Sequence, residues 1–367
     1  MKNDLNFKTD AQLHSQESKK IVLKGKTLSE LKEYFLSKGM QKFRGEQVFH
    51  WLYNHMTTSI DDMSSIPKSI RKRLKNEVEL ETLSSYHVEE SSKTKTRKYV
   101  FLTKDNYKIE TVIIPEAKRT TLCISTQVGC PLDCQFCATG LMGYKRNLTS
   151  GEIFDQYMLA VKDYGKNKIT NIVYMGMGEP LLNFQNTVKS LEIFFHELTK
   201  GISHKRITVS TAGIPPKIRE LADTGLNVKL ALSLHSCFDE IRSRLMPINA
   251  KYSLKENLLA VRYYAKKTNT RITFEYVMLK DINDTDDDVN ALTKICKEIP
   301  SKVNVIPFNS LKHMNPSGYS AQLESSPKDK IDDFVRKLRE RNVTVFVRQT
   351  QGDDIAAACG QLATKLT

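Results

Sequence analysis

Acidic residues are in deficit: 42 Asp and Glu stand against 56 Lys and Arg, leaving a net charge of +14 over 367 residues. A surplus of that size suits a polyanionic partner, and salt would loosen such a grip by counterion release. The chain also lacks any run of 18 apolar residues, so it offers no membrane-crossing helix. Residues 1–20 are polar and mixed in charge, without the apolar stretch of a secretion signal. Seven cysteines, three of them in one short run, do not suggest a disulfide framework. Together these absences point to a reducing, cytoplasmic setting. No internal repeat is evident.

The three clustered cysteines are Cys130, Cys134 and Cys137, in Cys-Pro-Leu-Asp-Cys-Gln-Phe-Cys, with Gly129 before and Ala138-Thr139-Gly140 after. A C-x3-C-x2-C run puts three soft thiolates on one loop, enough for three irons of a cubane cluster. What is missing is a fourth cysteine nearby. A zinc knuckle usually needs a second ligand pair, which the sequence does not provide. An electron carrier needs four thiolates, whereas a catalytic cluster gains from one iron left open to a substrate. The run resembles the signature of the radical S-adenosylmethionine (SAM) superfamily, which implies one 4Fe-4S cluster whose open iron binds SAM.

Taken in order, residues 1–20 read as a disordered tail. Thr27 and Glu30 form a capping box ahead of Leu28, Leu31, Tyr34 and Phe35; a second helix is expected over 45–56, with Val48, Trp51 and Leu52 inside. A third follows Pro67, where Lys68, Arg71, Lys72, Arg73 and Lys75 make a basic face. Residues 21–83 thus read as a small helical domain suited to RNA. Between 84 and 118 the period falls to two, and the strands 98–103 and 108–114 flank the turn Lys104-Asp105-Asn106 as a hairpin linker. Glu110 lies in the second strand, where an acid is ordinarily solvated.

From 119 to 350 strand and helix alternate. Strands are expected at 121–125, 171–175, 206–210, 228–234, 271–278, 302–307 and 343–347. Helices start at Thr149 with Glu152, Ser253 with Glu256, Thr285 with Asp288, and Ser326-Pro327 with Asp329. Such units build a parallel sheet, and the chain is expected to be an α/β protein with a barrel or partial barrel. Ligands gather at the carboxyl ends of the strands in such folds. There lie the cysteine loop, Gly176-Met-Gly178-Glu179-Pro180, Ser210, Ser233-Leu234-His235 and Asn309. The glycines admit a ligand's backbone-close approach, and Glu179 is suited to accept from the SAM amino group. Cys123, Cys237, Cys296 and Cys359, taken singly, read as inert; residues 351–367 are a terminal loop able to enter the barrel mouth.

Four stretches carry a closer resemblance: the cysteine loop with Ala-Thr-Gly, Gly176 to Asn183, Met246-Pro-Ile-Asn249, and Gly352-Asp-Asp-Ile with Ala-Cys359-Gly-Gln-Leu. Over residues 27–363 the chain is similar to RlmN-type adenine methyltransferases. The resemblance implies a partial (β/α)6 TIM-type barrel with a small helical N-terminal domain and a β-hairpin extension. It implies methylation of adenine carbon 2 in 23S rRNA and tRNA, with two SAM per turnover and an electron donor such as flavodoxin or ferredoxin, by a monomer. It makes Cys359 the methyl-carrying cysteine, Cys123 the thiol that forms a transient disulfide with it, and Glu110 the proton acceptor. Gly178, Glu179, Ser210, Ser233, Leu234, His235 and Asn309 become SAM contacts. The related Cfr type acts on carbon 8 and shares all five cysteines, so the choice of carbon rests on few residues. A radical SAM enzyme with a non-RNA substrate is the other alternative.

Overall fold

The computed structural model of the chain describes residues 20–165, 167–199 and 201–364. The expected disordered tail lies outside the described residues except for Lys20, as do residues 365–367.

The short strands β1 (Ile21–Val22) and β2 (Val78–Glu79) pair in parallel and bracket the helices Leu28–Ser37, Phe43–Tyr53 and Lys68–Glu77. Thr27 and Glu30 form the expected capping box. The second helix starts two residues early and ends at Tyr53; Val48 and Leu52 are buried, while Trp51 is only half-buried, its indole N–H on the Ser65 hydroxyl.

This helical segment is pinned to the rest by a buried joint. Lys24 and Asp155 form an ion pair at 3.1 Å with both side chains fully buried, and Asp155 also accepts from the Thr82 amide. Beside it Gly25, at φ +90°, comes so close to Gly151 that a Cβ would sit 2.3 Å from the Gly151 nitrogen. Only glycine fits there.

One ten-stranded sheet organises the remainder. It begins with β3 (Leu83–Glu90), β4 (Arg97–Thr103), β5 (Lys108–Glu116) and β6 (Arg119–Cys123), paired antiparallel in sequence order. The extension expected as a hairpin is therefore a three-stranded meander running into the first barrel strand. After the small hairpin β7 (Gln127–Gly129) with β8 (Tyr144–Asn147), the sheet continues in parallel from β6 through β9 (Asn171–Tyr174), β10 (Ile207–Thr211), β11 (Lys229–Ser233), β12 (Ile272–Met278), β13 (Ser301–Pro307) and β14 (Val345–Val347). All seven expected strands are present.

The helices cover the outer face. Thr149, Ser253 and Thr285 make the expected capping boxes. At the fourth start the helix Lys328–Glu340 begins after Pro327 without a side-chain cap, because the Ser326 hydroxyl donates to Asp284 instead. Ile153, Tyr157, Ala160 and Val161 bury against the sheet as the helical period requires. The sheet does not close, since β3 and β14 are its two edges: it is a partial barrel. No helix among the described residues is long and apolar enough to cross a membrane.

Candidate active site

The carboxyl ends of the parallel strands surround a cavity of about 930 Å3 of empty space, open on one side. Cys130, Cys134, Cys137, Gly178, Glu179, Ser210, Ser233, His235, Asn309 and Cys359 all line it. Ten residues spread over 230 positions of sequence thus meet on one rim.

The cysteine loop hangs from the small hairpin. Gly129, at φ +74°, closes it: a Cβ there would lie 1.9 Å from the Gly143 oxygen, while Cys130 donates its N–H to that same oxygen. Cys130 and Cys134 sit against Leu132, Phe136, Leu245 and Met246, and burial pushes the pKa values of all three thiols up, that of Cys130 to about 12. Backbone N–H groups of Thr139 and Gly140 face the Cys137 sulfur. Three soft donors in a dry wall with N–H groups aimed at sulfur fit an iron–sulfur cluster.

Glu179 is held at the next strand end. Gly178 takes φ +97°, and a Cβ there would meet the Gln127 side chain at 2.5 Å; the Glu179 N–H donates to the Gln127 side-chain oxygen. Its carboxylate accepts from the amides of Ala212 (2.7 Å) and Leu181 (2.9 Å). Burial outweighs those bonds and raises its pKa to about 7. His235 stands in the left-handed region at φ +55° with its ring edge-on to Phe136. Its Nδ1 accepts from the Val277 amide, which leaves the proton on Nε2. Burial, with Arg242 nearby, lowers its pKa to about 3, so the ring is neutral at working pH.

Two expected contacts differ from the rest. Leu234 does not line the cavity: its side chain is fully buried, its N–H donates to Glu275 and its carbonyl accepts from Arg242. Asn309 lines the cavity but donates to the Cys359 carbonyl at 2.9 Å. It holds the terminal segment in place.

That segment runs across the cavity mouth. Gly360 accepts from the Ala138 amide, Leu362 from the Thr139 hydroxyl, and Asp354 from the Ser91 hydroxyl. Cys359 is exposed, but into the cavity it lines, and burial by the surrounding protein still raises its pKa to about 11. Cys359 is thus not a core cysteine. Cys123, buried on β6, has its pKa pushed to about 12 by burial and then by the charge of Cys359, while Arg348 opposes both shifts.

Glu110 lies outside the cavity lining. Val112 pairs with Cys123 in register, so Glu110, two residues along β5, shares its sheet face with Cys123. The alternation pattern suggested a solvated acid; instead Glu110 is only 4% exposed. Lys98 stands 3.7 Å from it, and the terminal segment passes over both, with the Ile355 carbonyl on Lys98 and the Ala363 amide near Glu110. Burial raises the Glu110 pKa, opposed by Lys98. Its Oε2 has no hydrogen-bond partner among the described residues. Sequence reasoning missed Glu275 and Arg348, which pair at 3.8 Å beside the two thiols. An acid in the otherwise apolar strand Ile272–Met278 was the one available signal.

An open parallel barrel with a three-cysteine loop at its rim defines a radical SAM enzyme. The radical SAM superfamily model matches residues 124–292, and the model for the ribosomal RNA large subunit methyltransferase N-terminal domain matches residues 21–80. The chain is 43% identical, over 94% of its length and 90% of the relative, to a protein of Alcanivorax borkumensis named dual-specificity RNA methyltransferase RlmN. It is 43% identical to a Clostridioides difficile protein named a probable enzyme of that kind, over 95% of this chain and 99% of the other. A radical SAM methyltransferase from Sphaerobacter thermophilus superposes with a TM-score of 0.85 at 38% identity, covering 93% of this chain and 98% of that one. The chain belongs to the RlmN family of radical SAM RNA methyltransferases, enzymes that use SAM and an iron–sulfur cluster.

Proposed function

We propose that this enzyme methylates carbon 2 of one adenosine in 23S rRNA and of the adenosine beside the anticodon in tRNA, as the dual-specificity names of its relatives suggest. Carbon 2 of adenine is electron-poor and does not attack the methyl group of SAM directly. The observation that carries the reading is a sulfur, Cys359, lining the same cavity as the three loop cysteines.

Cys359 accepts the methyl of a first SAM by displacement at its sulfur. Cys130, Cys134 and Cys137 would hold a 4Fe-4S cluster with one open iron, which, reduced by a flavodoxin- or ferredoxin-type donor, would supply the electron for cleavage of a second SAM. Glu179, Ser210, Ser233, His235 and Asn309 orient that SAM from the rim, with Gly178 admitting it. The deoxyadenosyl radical from that second SAM takes a hydrogen atom from the Cys359 methyl, whose carbon then bonds to the adenine, and the radical adduct would return one electron to the oxidised cluster. Glu110 takes the ring proton. Cys123 attacks the Cys359 sulfur, releasing the product and leaving a disulfide.

Two features support RNA as substrate. The helix Lys68–Glu77 buries only Leu74, leaving its cations at the surface. Among the described residues Lys68 and Lys72 make no ion pair, whereas Arg73 and Lys75 are held by Glu77 and Asp61. The domain 21–83 would grip RNA backbone, and the enzyme acts as a monomer in the cytoplasm.

The test is nucleoside mass spectrometry on unmodified rRNA and tRNA after anaerobic incubation with the cluster-loaded protein, SAM and reductant. Appearance of 2-methyladenosine is expected; 8-methyladenosine alone would assign the other carbon. Cys359→Ala should yield no methyladenosine yet still cleave SAM reductively. Methylation by that variant would exclude the cysteine route.

A further inference from the structure

The reaction above makes no use of Arg242, nor of the motif Met246 to Asn249 that follows it. Arg242 lies on the helix Asp239–Leu245 and is 0% exposed. A guanidinium taken out of water without a counter-charge is costly, and proteins seldom keep one. Yet among the described residues every hydrogen-bond acceptor Arg242 meets is neutral. Its Nε donates to the Leu234 carbonyl at 3.2 Å, and its Nη2 to the carbonyls of Ala212 (2.6 Å) and Ser233 (3.1 Å). Its Nη1 donates to the side-chain oxygen of Asn249. The acid that bears on it, Asp239, is joined to it only through that amide, whose Nδ2 donates to Asp239 at 2.8 Å. Asn249 thus separates the cation from a carboxylate that would otherwise neutralise it.

Its neighbour on the cysteine loop is the buried thiol of Cys134, which becomes a charge when it is a cluster ligand. Here helix and cysteine loop are stitched together: the Gln135 amide donates to the Leu245 carbonyl at 2.9 Å, and Leu245 and Met246 pack with Leu132, Cys130, Cys134 and Phe136. The wall between guanidinium and loop is apolar, so their electrostatic interaction is little screened.

We infer that Arg242 is the internal counter-charge of the cluster, a positioning residue presented by Asn249 that offsets the negative charge of the thiolate-held cluster and raises the potential at which it accepts an electron. The inference rests on the cluster reading of Cys130, Cys134 and Cys137. Reduction adds one negative charge, so a fixed cation behind Cys134 favours the reduced form. By holding the carbonyls of Ala212, Ser233 and Leu234, the same side chain ties the ends of β10 and β11 to the cluster wall.

The test is an anaerobic redox titration of the reconstituted full chain, followed by electron paramagnetic resonance, with iron counted per protein. A wild-type chain that takes up no iron would remove the cluster reading itself. With the cluster present, Arg242→Gln should lower the ratio of reduced to oxidised cluster at fixed potential by about tenfold or more, about 59 mV more negative per tenfold for one electron. Arg242→Lys keeps the charge but loses the fork; its potential should stay near wild type while the KM for SAM rises. Asn249→Asp puts a carboxylate on the guanidinium and should shift the potential as Arg242→Gln does. An iron-loaded Arg242→Gln at the wild-type potential would overturn the inference, as would an Arg242→Lys shifted equally far. If Arg242→Gln takes up no iron, Asn249→Asp decides: a more negative potential supports the counter-charge, and an unchanged one refutes it.

Discussion

Glu179 makes opposite pH dependences for folding and for binding. In the ligand-free protein burial raises its pKa from the ordinary 4.5 to about 7. Folding therefore favours its protonated form: its contribution to stability is fully present below pH 4.5 and is lost as pH rises toward 7, by about 3 kcal/mol in all. A carboxylate that accepts from the amino group of SAM reverses the sign, because binding needs the charged form. With a pKa near 7, the ionised fraction at pH 6 is about one in eleven and at pH 7.5 about three in four, so SAM should bind about eightfold more weakly at pH 6. Isothermal titration of SAM into anaerobic cluster-loaded protein at the two pH values reads this directly. Glu179→Gln should bind weakly at both, with the dependence flattened. Equal wild-type affinities at the two pH values would refute the reasoning, as would an unchanged slope in the variant.

Other perturbations follow from the geometry. Asp155→Asn strands the Lys24 ammonium in a fully buried site, and urea unfolding should register a loss of about 3–5 kcal/mol; a change below 1 kcal/mol would mean that the joint tolerates an unpaired charge. Gly129→Ala forces a Cβ onto the Gly143 oxygen at a positive φ; about 1–3 kcal/mol of strain is expected, read as a lower melting temperature and reduced iron uptake. Glu110→Gln should slow turnover while leaving RNA affinity within twofold, as measured by filter binding; an unchanged rate would remove Glu110 as the base.

What the sequence disclosed depended on how local each feature is. Seven parallel strands and four capping boxes were readable because alternation and the box at Thr27, Thr149, Ser253 or Thr285 are settled within a few residues. The hairpin of β7 and β8 was not, since three or four residues are too few to show a period. Glu110 misled on pattern because its cover comes from Ile355 and Ala363, some 250 residues away. Arg242 and Arg244 look alike in Arg-Ser-Arg; only the folded helix turns the first toward Cys134 and the second over the Tyr319 ring. The cysteine loop, by contrast, was legible because three cysteines lie in eight residues.

The joint between the helical segment and the barrel has a consequence for the RNA. Gly25 and Gly151 touch backbone to backbone, the Ser150 hydroxyl binds the Gly25 carbonyl, and the Tyr53 hydroxyl takes the Gly25 amide. A seam with no room for a methyl group does not hinge, so the basic helix and the cavity mouth keep one fixed spacing. On the proposed function the work of deformation would then fall on the substrate: an RNA held by that helix would itself have to unstack its adenine to reach Cys359, at a few kcal/mol. Two RNAs unlike in sequence can then share one enzyme if each displays a loosely stacked adenine at the same distance from the gripped backbone.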